Sequence, residues 1–456
     1  MIKISRHLAF SSALFAALMW GSIACAYDLA ESFRSGELWT IKRERNPAEG
    51  LFIRDADETS SYATASGTNN MKFDSLLLGE VLLDWKEPQE EPEADEEAPE
   101  QKKPEDKAMK AEAPQANVLY RVTALVYTRG DDDEMGLKEF KNKVKELTDQ
   151  LTGILGKRGK KGMLPSSKAG MKINTILWTN EHGALRMESA TSSTKKSGKK
   201  AELIRLVMAP NVQELDRGGA SDKVKKRDLK ANVETDEDGT IWIKDIPMID
   251  QGDKGYCLPA TVARVFAYYG MDGVGMHEVA ALCGSSAEDG TSIFAMKKTL
   301  KDIGGRFHVR FKEHPRPSTE FFDCVSAYNA EARKNKKPEL ADPNTAMGGN
   351  TNWRAGMDPE LWCKVRSKKA SDVKKWMAPI RKSITAGVPV LWSVFDSSLY
   401  TGINASGGAH MRMIIGFNPK NNTIVFSDSW GKGAAKRVMT MNEAYAVTDS
   451  TYTLEP

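Results

Sequence analysis

Residues 86–116, KEPQEEPEADEEAPEQKKPEDKAMKAEAPQA, set the first constraint on the chain. They hold 11 Asp or Glu, 5 Lys and 5 Pro, and show no apolar periodicity. Such a stretch buries too little apolar surface to offset the entropy of ordering it. It reads as an acidic, Pro-rich disordered linker, so whatever folds must fold on either side of it. Its net charge is −6 against +3 for the whole chain, which leaves +9 elsewhere. The folded parts are mildly basic. That balance names no partner class, and no nucleic-acid partner is expected.

The N-terminus narrows the compartment. Lys3 and Arg6 precede the apolar run LAFSSALFAALMWGSIA, and Ala24-Cys25-Ala26 offers small residues for cleavage. Residues 1–26 read as a secretory signal peptide removed after Ala26, which implies export to a periplasmic or extracellular space. A membrane anchor is the alternative, but the run is short for a full span. A lipoprotein signal would modify Cys25; Ser22 stands where such signals usually carry a branched apolar residue. No other segment approaches ~18 unbroken apolar residues, so no stable membrane insertion is expected after signal removal.

Between these markers, 456 residues allow two or three domains. Residues 27–85 and 117–212 read as one accessory α+β domain. NVLYRVTALVY alternates and is β-branched, as a strand requires. Leu137, Phe140, Val144, Leu147, Leu151 and Ile154 recur at helical spacing. KINTILWT, GALRMESAT and AELIRLVMA read as further strands, with TSSTKKSGKK as a hairpin tip. This region has one His and no Cys beyond the signal, so no catalytic constellation is visible in it. Residues 213–232 are polar and Lys-rich and read as a second linker.

From 233 to 456 the order changes. LPATVARVFAYY reads as a helix closed by Gly270. Helices are also expected over 292–303, 319–334 and 371–387, the last kinked at Pro379. Three strands follow: VPVLWSVF, AHMRMIIGFN and NTIVFSDSW. Helices first and strands last predict an α+β fold.

Within this region Cys257 stands directly before a helix. Alone, it is most simply a packed core thiol. A nucleophile needs its thiolate near neutral pH, and a helix N-terminus favours that anion. Pro259 falls in the first turn, where its missing N–H costs nothing. Gly252 and Gly255 permit a sharp approach. A nearby imidazole would help further. His410 follows ASGG and opens a strand, and Asp428 lies 18 residues on. Two antiparallel strands joined by NPKNN would bring Asp428 beside His410, where a carboxylate can fix the ring's tautomer and orientation.

Gln251 six residues before Cys257, GGAH before an apolar strand, and DSWG at the end of the next resemble the papain-like cysteine peptidases. With Asp as the third member, the order is also similar to the bacteriocin-processing branch and its free-standing secreted relatives. The resemblance covers roughly 240–435. It implies a papain-like fold, with helices first and a C-terminal antiparallel sheet. It also implies hydrolysis of a peptide or protein substrate with no metal or organic cofactor. Residue by residue, it assigns Cys257 as nucleophile, His410 as general base and then acid, and Asp428 as orienter. The Gln251 amide and the Cys257 N–H would form the oxyanion hole, and Trp430 would shield the His410–Asp428 contact. The departures are Gly255-Tyr256 before the Cys and Leu258-Pro259 after it, and Asp rather than Asn as third member. They leave substrate preference open. The alternatives are a binding protein that kept the fold without activity, and an amidase or acyl transferase using the same triad.

Other features read as structural. Cys283, Cys324 and Cys363 are expected in core packing or one bridge. ETDEDG (234–239) nearly matches a calcium loop, but Glu234 and Asp245 are exchanged relative to one and the flanks read as strand; a hairpin turn is expected. GKRGKKG (156–162) lacks the residues and spacing of a phosphate loop and reads as a solvated loop.

Overall fold

The computed structural model describes residues 28–41, 51–55, 60–65, 71–86, 118–164, 171–194, 198–215, 227–252, 254–271, 274–291, 293–317, 321–341, 356–401 and 408–456. The expected signal peptide, the acidic segment from residue 87 onward and the middle of the second linker (216–226) lie outside them. The described residues form two compact units: one holds most of the chain up to residue 217, and the other holds the residues after it together with Arg129–Glu134.

The first unit is an eight-stranded sheet in the order β1-β2-β5-β6-β10-β9-β8-β7. Its strands are β1 (Leu51–Asp55), β2 (Ser60–Ala65), β5 (Val81–Lys86), β6 (Val118–Thr128), β7 (Lys160–Met163), β8 (Met171–Thr179), β9 (Ala184–Thr194) and β10 (Gly198–Ala209), with a separate pair β3 (Met71–Phe73) and β4 (Leu76–Leu78). The short helix α1 (Leu29–Ser35) precedes them, and α2 (Leu137–Leu155) packs on β10. The apolar spacing of α2 places Phe140, Leu147 and Leu151 in the core beside Leu119, Val122 and Leu206. Gly156, at φ +70°, ends the helix in the left-handed conformation. A short helix α3 (Val212–Leu215) follows β10.

Three expectations shift here. The Lys-rich run at 156–162 ends in strand β7, whose Lys160 to Met163 pair with Leu177 to Asn174 of β8. An edge strand needs only backbone pairing, and all four of its residues are exposed, so Lys and Gly do not hinder it. The β9–β10 hairpin also extends further into TSSTKKSGKK, since Gly198 pairs with Thr194. At the ends of the second linker, Leu215 and Leu229 are buried, so those ends are anchored.

The second unit carries its strands in the order β11-β12-β15-β14-β18-β13, with β16 on the other edge of β15 and β17 beside it. These are β11 (Val233–Thr235), β12 (Ile241–Ile243), β13 (Arg310–Glu313), β14 (Val390–Val394), β15 (His410–Asn418), β16 (Thr423–Ser427), β17 (Arg437–Thr440) and β18 (Thr448–Glu455). The pairings among these described strands are antiparallel. The helices are α4 (Cys257–Tyr268), α5 (Met276–Cys283), α6 (Ile293–Phe307), α7 (Phe321–Lys334), α8 (Pro359–Arg366), α9 (Ala370–Thr385) and α10 (Met441–Val447). Together they make the mixed α+β architecture expected of a papain-like domain. ETDEDG forms the β11–β12 hairpin turn, where Asp238 accepts from the Thr240 amide at 2.9 Å. Helix α9 runs through Pro379 without interruption.

All nine residues of β15 are buried, so both of its faces are covered. Helix α4 packs against it, with Ala260, Val262, Ala263 and Phe266 all buried. That contact brings the start of α4 and the start of β15 into one place.

Candidate active site

Helix α4 begins at Cys257, so the Cys257 N–H is among those a helix leaves without an internal acceptor. The approach is tight. The Gly252 N–H donates to Asp250 Oδ1 at 2.8 Å, and Gly252 sits at φ +63°, a conformation that favours glycine. Gly255 is forced by space instead. A Cβ there would lie 2.6 Å from both Cα and N of Gly290, and the Gly255 N–H donates to the Ala287 carbonyl at 2.6 Å.

His410 is the first residue of β15, and Asp428 follows the last residue of β16. Met413 pairs with Ser427, so the β15–β16 hairpin carries Asp428 back to the start of β15. His410 Nε2 lies 2.6 Å from Asp428 Oδ1, and the Ser429 N–H donates to the same oxygen at 2.9 Å. With Nε2 held there, Nδ1 is the ring nitrogen left for the thiol. The Trp430 ring stacks on His410, with centroids 4.5 Å apart and planes inclined by 16°. His410 and Asp428 are both buried.

The electrostatics divide the thiols. Burial pushes the Cys257 thiol up, but hydrogen bonding and charge from His410, with backbone contacts from Met411 and Leu258, hold it below its ordinary value. His410 moves the other way. Burial disfavours its cation, yet the Asp428 carboxylate and the Cys257 sulfur raise it to about 9. Burial opposes ionisation of Asp428 too, and His410 and Arg412 outweigh it, keeping the carboxyl below the usual range. The other three thiols are pushed up by burial, Cys283 to about 12. All four described cysteines are free, so no bridge joins Cys283, Cys324 and Cys363. Cys324 packs in a core with Tyr328 and Trp362.

Gln251 is buried in the loop before Cys257. Its backbone N–H donates to the Ser429 carbonyl at 2.8 Å, tying this loop to the residue after Asp428. Its Nε2 donates to the Lys254 carbonyl at 2.9 Å. One N–H of the amide is used there, and the second remains for another acceptor. The side-chain Oε1 has no partner among the described residues.

Sequence reasoning missed two buried guanidinium groups. Arg412, two residues after His410, donates through Nε to Asp428 Oδ2 at 2.7 Å and through Nη2 to the Ser397 carbonyl at 2.7 Å. Arg264 on α4 donates to the Pro247 carbonyl at 2.9 Å, the Asp428 carbonyl at 3.0 Å and Ser427 Oγ at 2.5 Å. The signal was present: each is a lone cation in an otherwise apolar run, HMRMIIGF and LPATVARVF, and a cation in a core requires partners.

Among the described residues, no three His, Cys, Asp or Glu side chains come together as a metal site, and no helix is long and apolar enough to cross a membrane. No curated protein matches the chain. Residues 243–452 match the Peptidase_C39 like family. That segment spans α4, β15 and β16, and the match supports a relationship of this segment to the papain-like cysteine peptidase superfamily.

Proposed function

We propose that this chain is an exported cysteine peptidase that hydrolyses peptide bonds through Cys257, His410 and Asp428. The observation that carries the reading is a pair of opposed proton affinities at one place. Of the four described thiols, Cys257 alone is drawn down, beside an imidazole pushed up to about 9. Groups displaced in opposite directions share a proton in the form a thiolate nucleophile and an imidazolium acid need.

In the first step the Cys257 thiolate attacks the peptide carbonyl carbon, forming the C–S bond. The carbonyl π pair moves to oxygen, which the Cys257 N–H and the second Gln251 N–H stabilise. The oxyanion pair then returns, the C–N bond breaks, and His410 delivers its proton to the leaving amine. Water attacks the thioester, giving a proton to His410, and the C–S bond breaks to restore the thiolate. Asp428 holds His410 through Nε2 in both directions. Trp430 keeps water from that contact.

The test uses the intact chain under reducing conditions and a thiol-directed alkylating probe. Labelling is expected at Cys257 before Cys283, Cys324 or Cys363, and is expected to fall in His410→Ala. Cleavage of a peptide library is expected to vanish in Cys257→Ala. Labelling indifferent to His410→Ala would overturn the nucleophile assignment and leave a peptidase-fold binding protein. Cleavage of non-peptide amides alone would move the reading to an amidase or acyl transferase. Export predicts a mature N-terminus at Tyr27, which Edman or mass-spectrometric sequencing reads directly. Residues 27–85 and 117–212 would then form an accessory module for targeting, substrate binding or inhibition.

A further inference from the structure

We propose that Arg412 is a positioning residue for the triad: it fixes the plane of the Asp428 carboxylate and keeps that carboxylate ionised while His410 alternates between charged and neutral. This rests on the reading of Cys257 as nucleophile.

The first argument is geometric. Residues two apart on a strand face the same side, so His410 and Arg412 both reach one carboxylate. They divide its oxygens. Oδ1 takes His410 Nε2 and the Ser429 N–H, and Oδ2 takes Arg412 Nε. A carboxylate held at one oxygen can still turn about its last torsion, and its hydrogen bond to the imidazole turns with it. Anchoring the second oxygen removes that freedom. Arg412 is itself fixed, since Nη2 donates to the Ser397 carbonyl and the guanidinium lies over Phe426 at 5.3 Å and over Trp392 and Trp430 at 6.0 Å each.

The second argument is charge. Arg412 is fully buried, and its Nη1 has no partner among the described residues. A cation in that position is costly unless an anion needs it. Asp428 does. In the resting enzyme, thiolate, imidazolium and carboxylate together leave one excess negative charge, and Arg412 brings the set to zero. In the thioester both Cys257 and His410 are neutral, and the Asp428 carboxylate then keeps Arg412 as its hydrogen-bonded counter-ion. The remaining groups around the carboxylate are accounted for. Arg264 from α4 is turned onto the Asp428 main-chain carbonyl, and Asp396, beside Ser397, accepts from the Ser398 amide and hydroxyl.

Removing a buried cation raises the proton affinity of every group beside it. The expected reading is the pH dependence of Cys257 alkylation by iodoacetamide, followed in the full chain with Cys283, Cys324 and Cys363 monitored by peptide mass. In Arg412→Met, the acid limb of that profile is expected to move to higher pH, with alkylation on the limb slowed about tenfold for each unit moved. Arg412→Lys restores the charge without the guanidinium fork. It is expected to bring the limb back to the wild-type position while peptide hydrolysis stays below wild type. The thermal midpoint of each variant separates this from general loss of packing. A lowered midpoint with an unmoved limb in both variants would make Arg412 a structural residue and overturn the proposal. A limb that moves equally in Lys and Met would overturn the charge argument. If Arg412→Met does not fold, Arg412→Lys and Arg412→Gln decide by the same limb, Gln being expected to move it and Lys not. Failure of the underlying reading looks different, because Cys257 in the unmodified chain would then show no acid-shifted reactivity at all.

Discussion

At the residue scale, the site depends on how one carboxylate biases one imidazole. Asp428 is the largest favourable influence raising His410 to about 9, against the opposing effect of burial. Asp428→Asn keeps the shape and removes the charge. His410 then loses most of its preference for the cation, so the imidazolium that protonates the leaving amine is lost at lower pH. The alkaline limb of kcat/KM, near pH 9 in the unmodified chain, is expected to fall by at least about one unit in Asp428→Asn, and the rate at neutral pH by about tenfold or more. An unmoved alkaline limb would show that another group titrates there. These residues were legible because their local settings are distinctive: a Cys before a Pro-bearing helix start, a His opening a strand, an Asp ending the next. Gly255 was legible only in part. Its need for a sharp approach could be read, but its contact with the Gly290 backbone could not, because that contact is set by chain segments 35 residues apart.

At the element scale, the helices and strands that carry Cys257, His410 and Asp428 followed from periodicity, and the last 20 residues, from Arg437 on, did not. β17, α10 and β18 were unassigned. The signal for α10 was a capping box in TMNE, where Thr440 Oγ1 accepts from the Glu443 N–H at 3.2 Å and the Glu443 carboxylate accepts from the Thr440 N–H at 2.9 Å. β18 was marked by the β-rich run STYTLE. Both matter to the core. The Ala446 carbonyl at the end of α10 accepts from Trp362 Nε1 at 2.9 Å and from Arg366 at 2.7 Å, and β18 pairs with β14 in the middle of the sheet. Thr440→Ala removes the cap and is expected to destabilise the chain by about 1 kcal/mol, with kcat/KM unchanged at temperatures where the protein is folded. Chemical denaturation reads the first and steady-state hydrolysis the second. A comparable loss of activity would mean that α10 reaches the site through Arg366 and β18. Arg264 and Arg412 escaped for a different reason. Periodicity identifies a core position but does not say which acceptor a cation placed there will find.

At the scale of the whole second unit, the pH dependence of folding can be assigned to particular protons. Cys257 is drawn down and His410 pushed up, so the two act in opposite senses on the pH slope: the first favours the folded state as pH rises, the second as pH falls. His314 acts on the acid side. It follows β13, is buried, and both ring nitrogens lack partners among the described residues. Burial, with Lys312 nearby and only partly offset by Glu455, pushes it down to about 4. The folded state therefore keeps His314 neutral where the unfolded state protonates it. Its contribution is fully present above pH 6.5 and is lost as pH falls toward 4, by up to about 3 kcal/mol. In a Cys257→Ser background, which removes the thiolate's share, unfolding free energy is expected to drop between pH 6.5 and 4. Adding His314→Leu is expected to flatten that drop by about 2–3 kcal/mol while leaving or improving stability at pH 7, since an unpartnered polar ring is replaced by an apolar side chain. Urea unfolding at half-unit pH steps measures both curves. Parallel curves for the two variants would mean that His314 is protonated equally in the folded and unfolded chain, and that the acid sensitivity of this fold lies elsewhere.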